Sequence, residues 1–103
     1  MKPVLSTTSL RTFTTPQAIE TARRLRYAGI EIWAEHLWAR EEDPEAVGAL
    51  AASAGLPLSI HGPGRDLNVT STNPGIREES RRQYRRALED AVRLRARVVT
   101  FHP

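Results

Sequence analysis

The sequence has 103 residues, of which 40% are hydrophobic and 26% charged, so it fits one small globular domain and excludes a disordered chain. Cysteine is absent, which excludes disulfides, thiolate metal sites and cysteine catalysis, and fits a cytoplasmic location. The formal net charge of +3 comes almost wholly from arginine, because Lys2 is the only lysine; we interpret it as compositional bias rather than as the mark of an anionic partner. No apolar run is long enough to span a bilayer or to serve as a secretory signal.

The chain opens with one strand, one helix and a second strand. Residues 3–8 alternate apolar with small polar residues, as a strand does. A helix is predicted next, with Thr15 as its cap, Pro16 as its first residue and Gly29 as the residue that closes it. The strand-like run Ile-Glu-Ile-Trp, residues 30–33, follows at once and predicts the second strand.

The same order recurs in the rest of the chain. Asp43 is expected to cap a second helix that begins at Pro44 and closes at Gly55. The remaining predicted elements are a third strand, a third helix and a fourth strand, at residues 56–61, 74–94 and 97–102. Strands that alternate with helices predict an α/β fold with parallel strands and right-handed crossovers.

The third predicted helix carries an apolar stripe on one face and charges on the other. Opposite charges recur four residues apart on the charged face, as in Glu78 with Arg82, a spacing that supports a helix. We therefore interpret its arginines as part of a solvated exterior rather than as a surface for nucleic acid.

Two histidines stand at the ends of predicted strands. His61 is followed by the loop 62–73, and His102 by Pro103. Strand alternation puts His61 on the face opposite the apolar residues, and the same holds for His102. Ligands of parallel α/β proteins gather at the carboxyl ends of strands, so the two imidazoles are expected within reach of one metal ion or one substrate. The alternative is that each histidine bonds only a loop carbonyl.

Four segments in order resemble a known family. They read Gly-Ile-Glu-Ile-Trp, His-Gly-Pro, Asp-Leu-Asn and Val-Val-Thr-Phe-His-Pro, at residues 29–33, 61–63, 66–68 and 98–103. Together they resemble the xylose isomerase-like barrel superfamily, which includes sugar phosphate isomerases and epimerases and the endonuclease IV type of abasic-site nuclease. Gly62 departs from the alanine usual there, and Gly64 from the usual aromatic residue. At 94–96 the glycine usual after the third helix is missing.

The resemblance implies that residues 1–103 are a single domain, the N-terminal half of a (β/α)8 TIM barrel truncated after strand four. It implies that His61 and His102 are ligands of a divalent metal, zinc or manganese, or else substrate-site histidines. Glu31 is expected to point into the barrel as a catalytic residue that orients a histidine or a substrate hydroxyl, or to be a buried carboxylate bonded to polar neighbours.

Three further residues are assigned to substrate binding. Trp33 shares a strand face with Glu31, Arg65 lies on the loop after strand three and could meet a phosphate, and Asn68 follows on the same loop. The alternative for Asn68 is that its side chain fixes the loop through bonds to the backbone. His36 is expected to be solvated.

Three functions follow as hypotheses. The first is a fragment of a metal-dependent isomerase or epimerase that acts on a sugar or sugar phosphate and is inactive alone. The second is an endonuclease IV-like phosphodiesterase, the one case in which nucleic acid is a partner. The third is a non-catalytic half barrel that forms a homodimer through the open edges of strands one and four.

Overall fold

The computed structural model describes residues 2–103 and consists of four strands and four helices. The strands are β1 Val4–Ser6, β2 Gly29–Trp33, β3 Leu58–His61 and β4 Val98–Thr100. The helices are α1 Thr15–Arg24, α2 Ala34–Ala39, α3 Pro44–Ser53 and α4 Pro74–Leu94, and a 3-10 turn, Thr7–Ser9, follows β1. The strands form one parallel sheet in the order β1-β2-β3-β4. The predicted fold class is confirmed. In the described residues 2–103, no helix is long and apolar enough to cross a membrane.

The register of the sheet brings the strand ends to one edge. Glu31 of β2 pairs with Ser6 of β1 on one side and with Ser59 of β3 on the other. One step further along, His61 pairs with Trp33 on one side and with Thr100 on the other. Side chains that point to the same face therefore form successive levels across the sheet, with the histidine level nearest the carboxyl edge.

The core lies between the sheet and the helices. The buried strand residues alternate with half-buried ones, as the predicted period of two requires. The core residues are Ile30, Ile32, Leu58 and Ile60 from the sheet, Leu56 from the loop before β3, and Ala18, Ile19, Ala22, Ala34, Leu37, Val47, Ala51, Ala87, Ala91 and Leu94 from the helices. The opposite face carries the polar residues of β2 and β3, as predicted.

The first helix differs from the prediction at both ends. Its cap is Thr14, not Thr15, because the Thr14 hydroxyl accepts from the Gln17 backbone N–H while the Gln17 side chain accepts from the Thr14 N–H. The helix ends at Arg24, well before Gly29. Gly29 instead begins β2, where a Cβ would lie 2.8 Å from the Pro57 carbonyl oxygen, so a close backbone approach requires glycine there.

Helix α2 was not predicted, and it corrects the expectation for His36. This single helix buries Leu37 fully, and His36 is only 5% exposed rather than solvated. The imidazole of His36 donates from Nε2 to the Phe13 carbonyl, at 2.7 Å. A polar-looking segment after β2 therefore packs inward because its helical turn carries Leu37 and His36 toward the core.

The other two helices have the predicted ends. Asp43 caps α3 by accepting from the backbone N–H groups of Glu45 and Ala46, and Gly55 follows that helix with φ of +70°. The charge pairs of α4 differ from the predicted spacing of four. Arg82 instead bonds Glu79, three residues earlier, and Arg93 reaches Asp43 at the start of α3. The pKa of Glu79 is held down to about 2 by its hydrogen bonds from the Arg82 and Gln83 side chains.

Candidate functional site

The two strand-end histidines meet. The Nε2 atoms of His61 and His102 lie 2.9 Å apart, and the ring centroids lie 4.9 Å apart at an angle of 45°. His61 ends β3, and His102 stands two residues beyond β4. The predicted convergence of the two imidazoles is therefore present in the structure.

The hydrogen bonds of the pair define its tautomers. Nδ1 of His61 lies 2.9 Å from the carbonyl oxygen of Gly62, which can only accept, so this nitrogen carries a proton. In neutral His61 the Nε2 atom is then unprotonated, and its lone pair can accept a hydrogen bond. Nε2 of His102 must therefore donate across the 2.9 Å contact. The alternative bond to a loop carbonyl thus exists for His61 as well, and it orients the ring toward its partner.

A tyrosine from α4 contacts the segment that carries His102. The Tyr84 hydroxyl donates to the carbonyl of His102 at 2.8 Å, and the Tyr84 ring stacks on Phe101 with centroids 4.6 Å apart. Tyr84 lies within the predicted third helix, residues 74–94, and was not predicted as a site residue. The hydroxyl contact has no local signal in the sequence, because it joins residues 18 positions apart.

Glu31 lies one level below the histidines on the same face of the sheet. It is half buried, and its Oε1 atom accepts from the Ser6 hydroxyl at 3.0 Å. Ser6 was not among the predicted site residues, although its position at the end of β1, after a period-two run, is the signal that could have found it. The structure places the carboxylate beneath the histidine pair and leaves its catalytic role a prediction.

Trp33 and Arg65 lie together beside the histidines. Trp33 pairs in register with His61, and its backbone N–H donates to the Thr7 hydroxyl at 2.9 Å. The Arg65 guanidinium lies 4.7 Å from the centroid of the Trp33 ring, and that of Arg11 lies 5.5 Å from it. Arg11 was missed because nothing in its local sequence marks it.

Asn68 has the loop-fixing contacts that formed the alternative expectation. Its Oδ1 atom accepts from both the backbone N–H and the hydroxyl of Thr70, at 2.9 and 2.8 Å. Its own backbone N–H donates to the Ser80 hydroxyl, which ties the loop to α4. A role for Asn68 in substrate binding stays a prediction.

The donor set of this chain fits a metal only in part. Imidazole nitrogen is a favoured ligand of zinc, and a tetrahedral ion with Zn–N bonds of about 2.0–2.1 Å needs two nitrogens about 3.4 Å apart. His61 and His102 come within a small shift of that distance. Within residues 2–103, however, no group of three or more histidine, aspartate or glutamate side chains is placed to hold an ion. The pair would supply two ligands to an ion bound there, and further ligands would have to come from other groups.

Comparison with known proteins decides the family. The family profile described as xylose isomerase-like TIM barrel matches residues 19–103, which is more than half of the chain. The chain belongs to the xylose isomerase-like TIM barrel family. Among curated proteins, none matches the sequence significantly.

Two solved structures of epimerases are similar to this member of the family. One is a crystal structure of D-psicose 3-epimerase in the presence of D-fructose, at 20% identity and a TM-score of 0.78, covering 96% of this chain and 36% of that one. The other is a D-tagatose 3-epimerase-like protein, at 25% identity and a TM-score of 0.81, covering 100% and 38%. The chain thus spans little more than a third of their length, and its sheet and helices resemble the first half of their TIM barrels.

Proposed function

We propose that this chain is the first half, as one domain, of a metal-dependent isomerase or epimerase that acts on a sugar or sugar phosphate. The observation that carries the proposal is the contact of His61 with His102 at the carboxyl ends of adjacent strands, where (β/α)8 barrels bind their substrates. The similarity to two sugar epimerases supports the substrate class. A cytoplasmic location stays a prediction from the sequence.

In the proposed site, two histidines bind the metal and one glutamate contacts the substrate or a histidine. His61 and His102 hold two positions of a divalent zinc or manganese ion through their Nε2 atoms. When bound, such an ion acts as a Lewis acid that polarises a substrate carbonyl or hydroxyl. Glu31 lies below the pair with one carboxylate oxygen held by Ser6, so its other oxygen is free of that bond and can hold a substrate hydroxyl or an imidazole N–H.

The isolated chain is expected to be inactive. Only two metal donors are placed together in residues 2–103, and the four strands leave the face that bears Glu31 and His61 without a covering second half. A closed eight-stranded barrel would surround that face and exclude water from the reaction. The remaining donors belong to the other half of the proposed barrel.

The nuclease alternative has less support than the sugar enzyme. The same histidine pair would serve a phosphodiesterase, but both similar structures are described as 3-epimerases or epimerase-like. The charged face of α4 is partly neutralised by its own carboxylates, as in the bidentate contact of Arg82 with Glu79. We therefore keep nucleic acid as a partner only under this second candidate.

Native mass spectrometry of the 103-residue chain with zinc, and then manganese, tests the metal site. We expect retained metal with the wild-type chain, and its loss in the His61→Ala and His102→Ala variants, because each removes one of two donors. Calcium serves as the matched control ion, since it prefers oxygen ligands and gains little from imidazole. Zinc binding that persists in both variants, or that is absent from the wild-type chain, contradicts the proposed role of the pair.

A further inference from the structure

A second group of functional side chains lies next to the histidine pair. A cavity of about 380 Å³ opens beside Trp33, whose partner in register on β3 is His61. It is lined by Arg11, Trp33, Glu35, His36, Ala39, Arg40 and Arg65. Three arginines and one acidic residue thus line the same cavity.

The arginines of this cavity lack carboxylate partners. Within residues 2–103, the ion pairs of arginine involve only residues 23, 82, 85 and 93. Glu35, the one acidic residue of the lining, accepts from the backbone N–H of Arg65 at 3.3 Å rather than from a guanidinium. The positive charge of Arg11, Arg40 and Arg65 is therefore left for a ligand, which distinguishes them from the paired arginines of α1 and α4.

The three guanidinium groups are held by neutral contacts. Arg11 and Arg65 lie over the Trp33 ring, and Arg40 donates from Nη2 to the Arg11 carbonyl at 3.0 Å. These contacts restrict the long side chains while leaving most of their N–H groups unused, so less conformational entropy is lost when an anion binds.

His36 leaves a further donor of Arg40 without a partner. Nε2 of His36 lies 2.7 Å from the Phe13 carbonyl, so it must carry a proton and has no lone pair for the Arg40 Nε–H group 3.1 Å away. Nδ1 of His36 is buried without a hydrogen-bond partner in the described part of the chain. The Arg40 Nε–H group therefore stays available to a ligand of the cavity.

We propose that Arg11, Arg40 and Arg65 form a binding site for a phosphate group. Guanidinium forks match the oxygens of phosphate, and three of them suit its three terminal oxygens better than the two of a carboxylate. The cavity exceeds the volume of one phosphate, so the group can be attached to a larger molecule that extends past Trp33 toward His61. If the proposed function holds, this inference makes its substrate a sugar phosphate; phosphate binding itself does not depend on that function.

The test is a titration of the isotopically labelled 103-residue chain with sodium phosphate, followed by NMR at the Trp33 indole and the arginine Nε–H groups. Sodium chloride at equal ionic strength is the reference. We expect saturable shifts with phosphate only, and a dissociation constant roughly ten- to a hundredfold weaker in Arg65→Gln and Arg40→Gln, the effect of one charge-assisted hydrogen bond.

Two controls separate this site from general electrostatics and from the histidine site. Arg81→Gln removes the same charge from an exposed position of α4 and should leave phosphate binding unchanged. The double variant His61→Ala with His102→Ala should also bind phosphate as the wild type does, so a wild-type chain that binds phosphate but no metal would overturn only the proposed function. Linear shifts, equal shifts with chloride, or equal weakening by Arg81→Gln would overturn the phosphate site.

A comparison of two sugars extends the test to the substrate class. A ketohexose phosphate is expected to shift the same Trp33 and arginine signals at concentrations at least about tenfold lower than D-fructose requires, because only the phosphate engages the guanidinium groups. Equal affinity for the two sugars in a chain that binds inorganic phosphate would overturn the assignment of a sugar phosphate.

Discussion

The ring of Phe101 fills the space that a side chain at Gly62 would need. A Cβ at position 62 would lie 2.5 Å from Cε1 of Phe101 and 3.2 Å from the Thr100 carbonyl oxygen. The backbone N–H of Gly62 also donates to that carbonyl at 2.8 Å, so the two strand ends are tied together at this point. The departure from the family's usual alanine is thus matched by the position of Phe101, next to both histidines.

Substitution of Gly62 by alanine is expected to destabilise the chain by about 1–3 kcal/mol, the usual cost of forcing an extra methyl group into a packed contact. Urea unfolding, followed by circular dichroism, measures this cost. Gly64→Ala is the matched control, because a Cβ there meets nothing within 4 Å. Adding Phe101→Leu to Gly62→Ala should recover part of the loss, and equal stability of the two alanine variants would contradict the clash.

Arg95 offers a substitution that should stabilise the chain. It follows α4 with φ of 57° and ψ of 39°, the left-handed conformation that favours glycine. Arg95→Gly is therefore expected to raise the free energy of unfolding by about 1 kcal/mol. Arg97→Gly makes the same chemical change at a residue without positive φ and should give no gain. No difference between the two variants would show that the strain at Arg95 is negligible.

The sequence predicted the parts of the fold that have local signals. Pro44, Gly55 and the stripe of 74–94 gave α3 and α4 their observed bounds, because caps and periodicity act within a few residues. Helix α2 has only six residues, and the residue at its N-cap position, Trp33, forms no side-chain capping bond, so neither signal marks it. The error at Thr15 has the same origin, since two adjacent threonines can each cap a helix.

Only the part of the site that depends on the alternation of side chains along the strands could be predicted. Alternation placed His61 and His102 on one face, and that sufficed to bring them together. The grouping of Arg11, Arg40 and Arg65 depends on how α2 and two loops fold over Trp33, and no periodicity in the sequence encodes such contacts. Long-range side-chain contacts therefore account for most of what the sequence left undetermined.

Trp38 and Asp90 join α2 to α4. The indole Nε1–H donates to Oδ2 of Asp90 at 2.7 Å, and Asp90 is only 6% exposed. Asp90→Ala leaves the indole N–H without its acceptor and is expected to cost about 1–3 kcal/mol. Asp90→Asn keeps an acceptor and should cost less, while Glu89→Ala at an exposed neighbour should be near neutral. Thermal unfolding of the three variants measures these costs. Equal losses of stability in all three would contradict the proposed role of the Trp38–Asp90 bond.

The histidine pair should hold opposite tautomers in the metal-free chain. Nδ1 of His61 carries its proton toward Gly62, whereas Nε2 of His102 carries the proton shared with His61. Long-range nitrogen–proton correlation by NMR at a pH where both rings are neutral distinguishes the two forms. Zinc should convert His102 to the Nδ1–H form, because both Nε2 atoms are then ligands; identical tautomers before zinc is added would contradict the assigned hydrogen bonds.

Self-association through the sheet edges is the remaining expectation for this chain. In the described sheet, β1 pairs only with β2 and β4 only with β3, and Val4 and Val98 are 52% and 56% exposed on these edge strands. Unpaired strand edges bind other strands, so a second copy can join edge to edge and cover the apolar side chains. Sedimentation equilibrium should show a dimer that weakens in Val98→Lys, because charged residues on an edge oppose pairing.

Val92→Lys places the same charge on the outer surface of α4, where Val92 is 78% exposed, and should leave the dimer intact. A wild-type chain that stays monomeric at millimolar concentration contradicts self-pairing, and equal effects of the two lysines would mean that net charge, not the edge of the sheet, controls association.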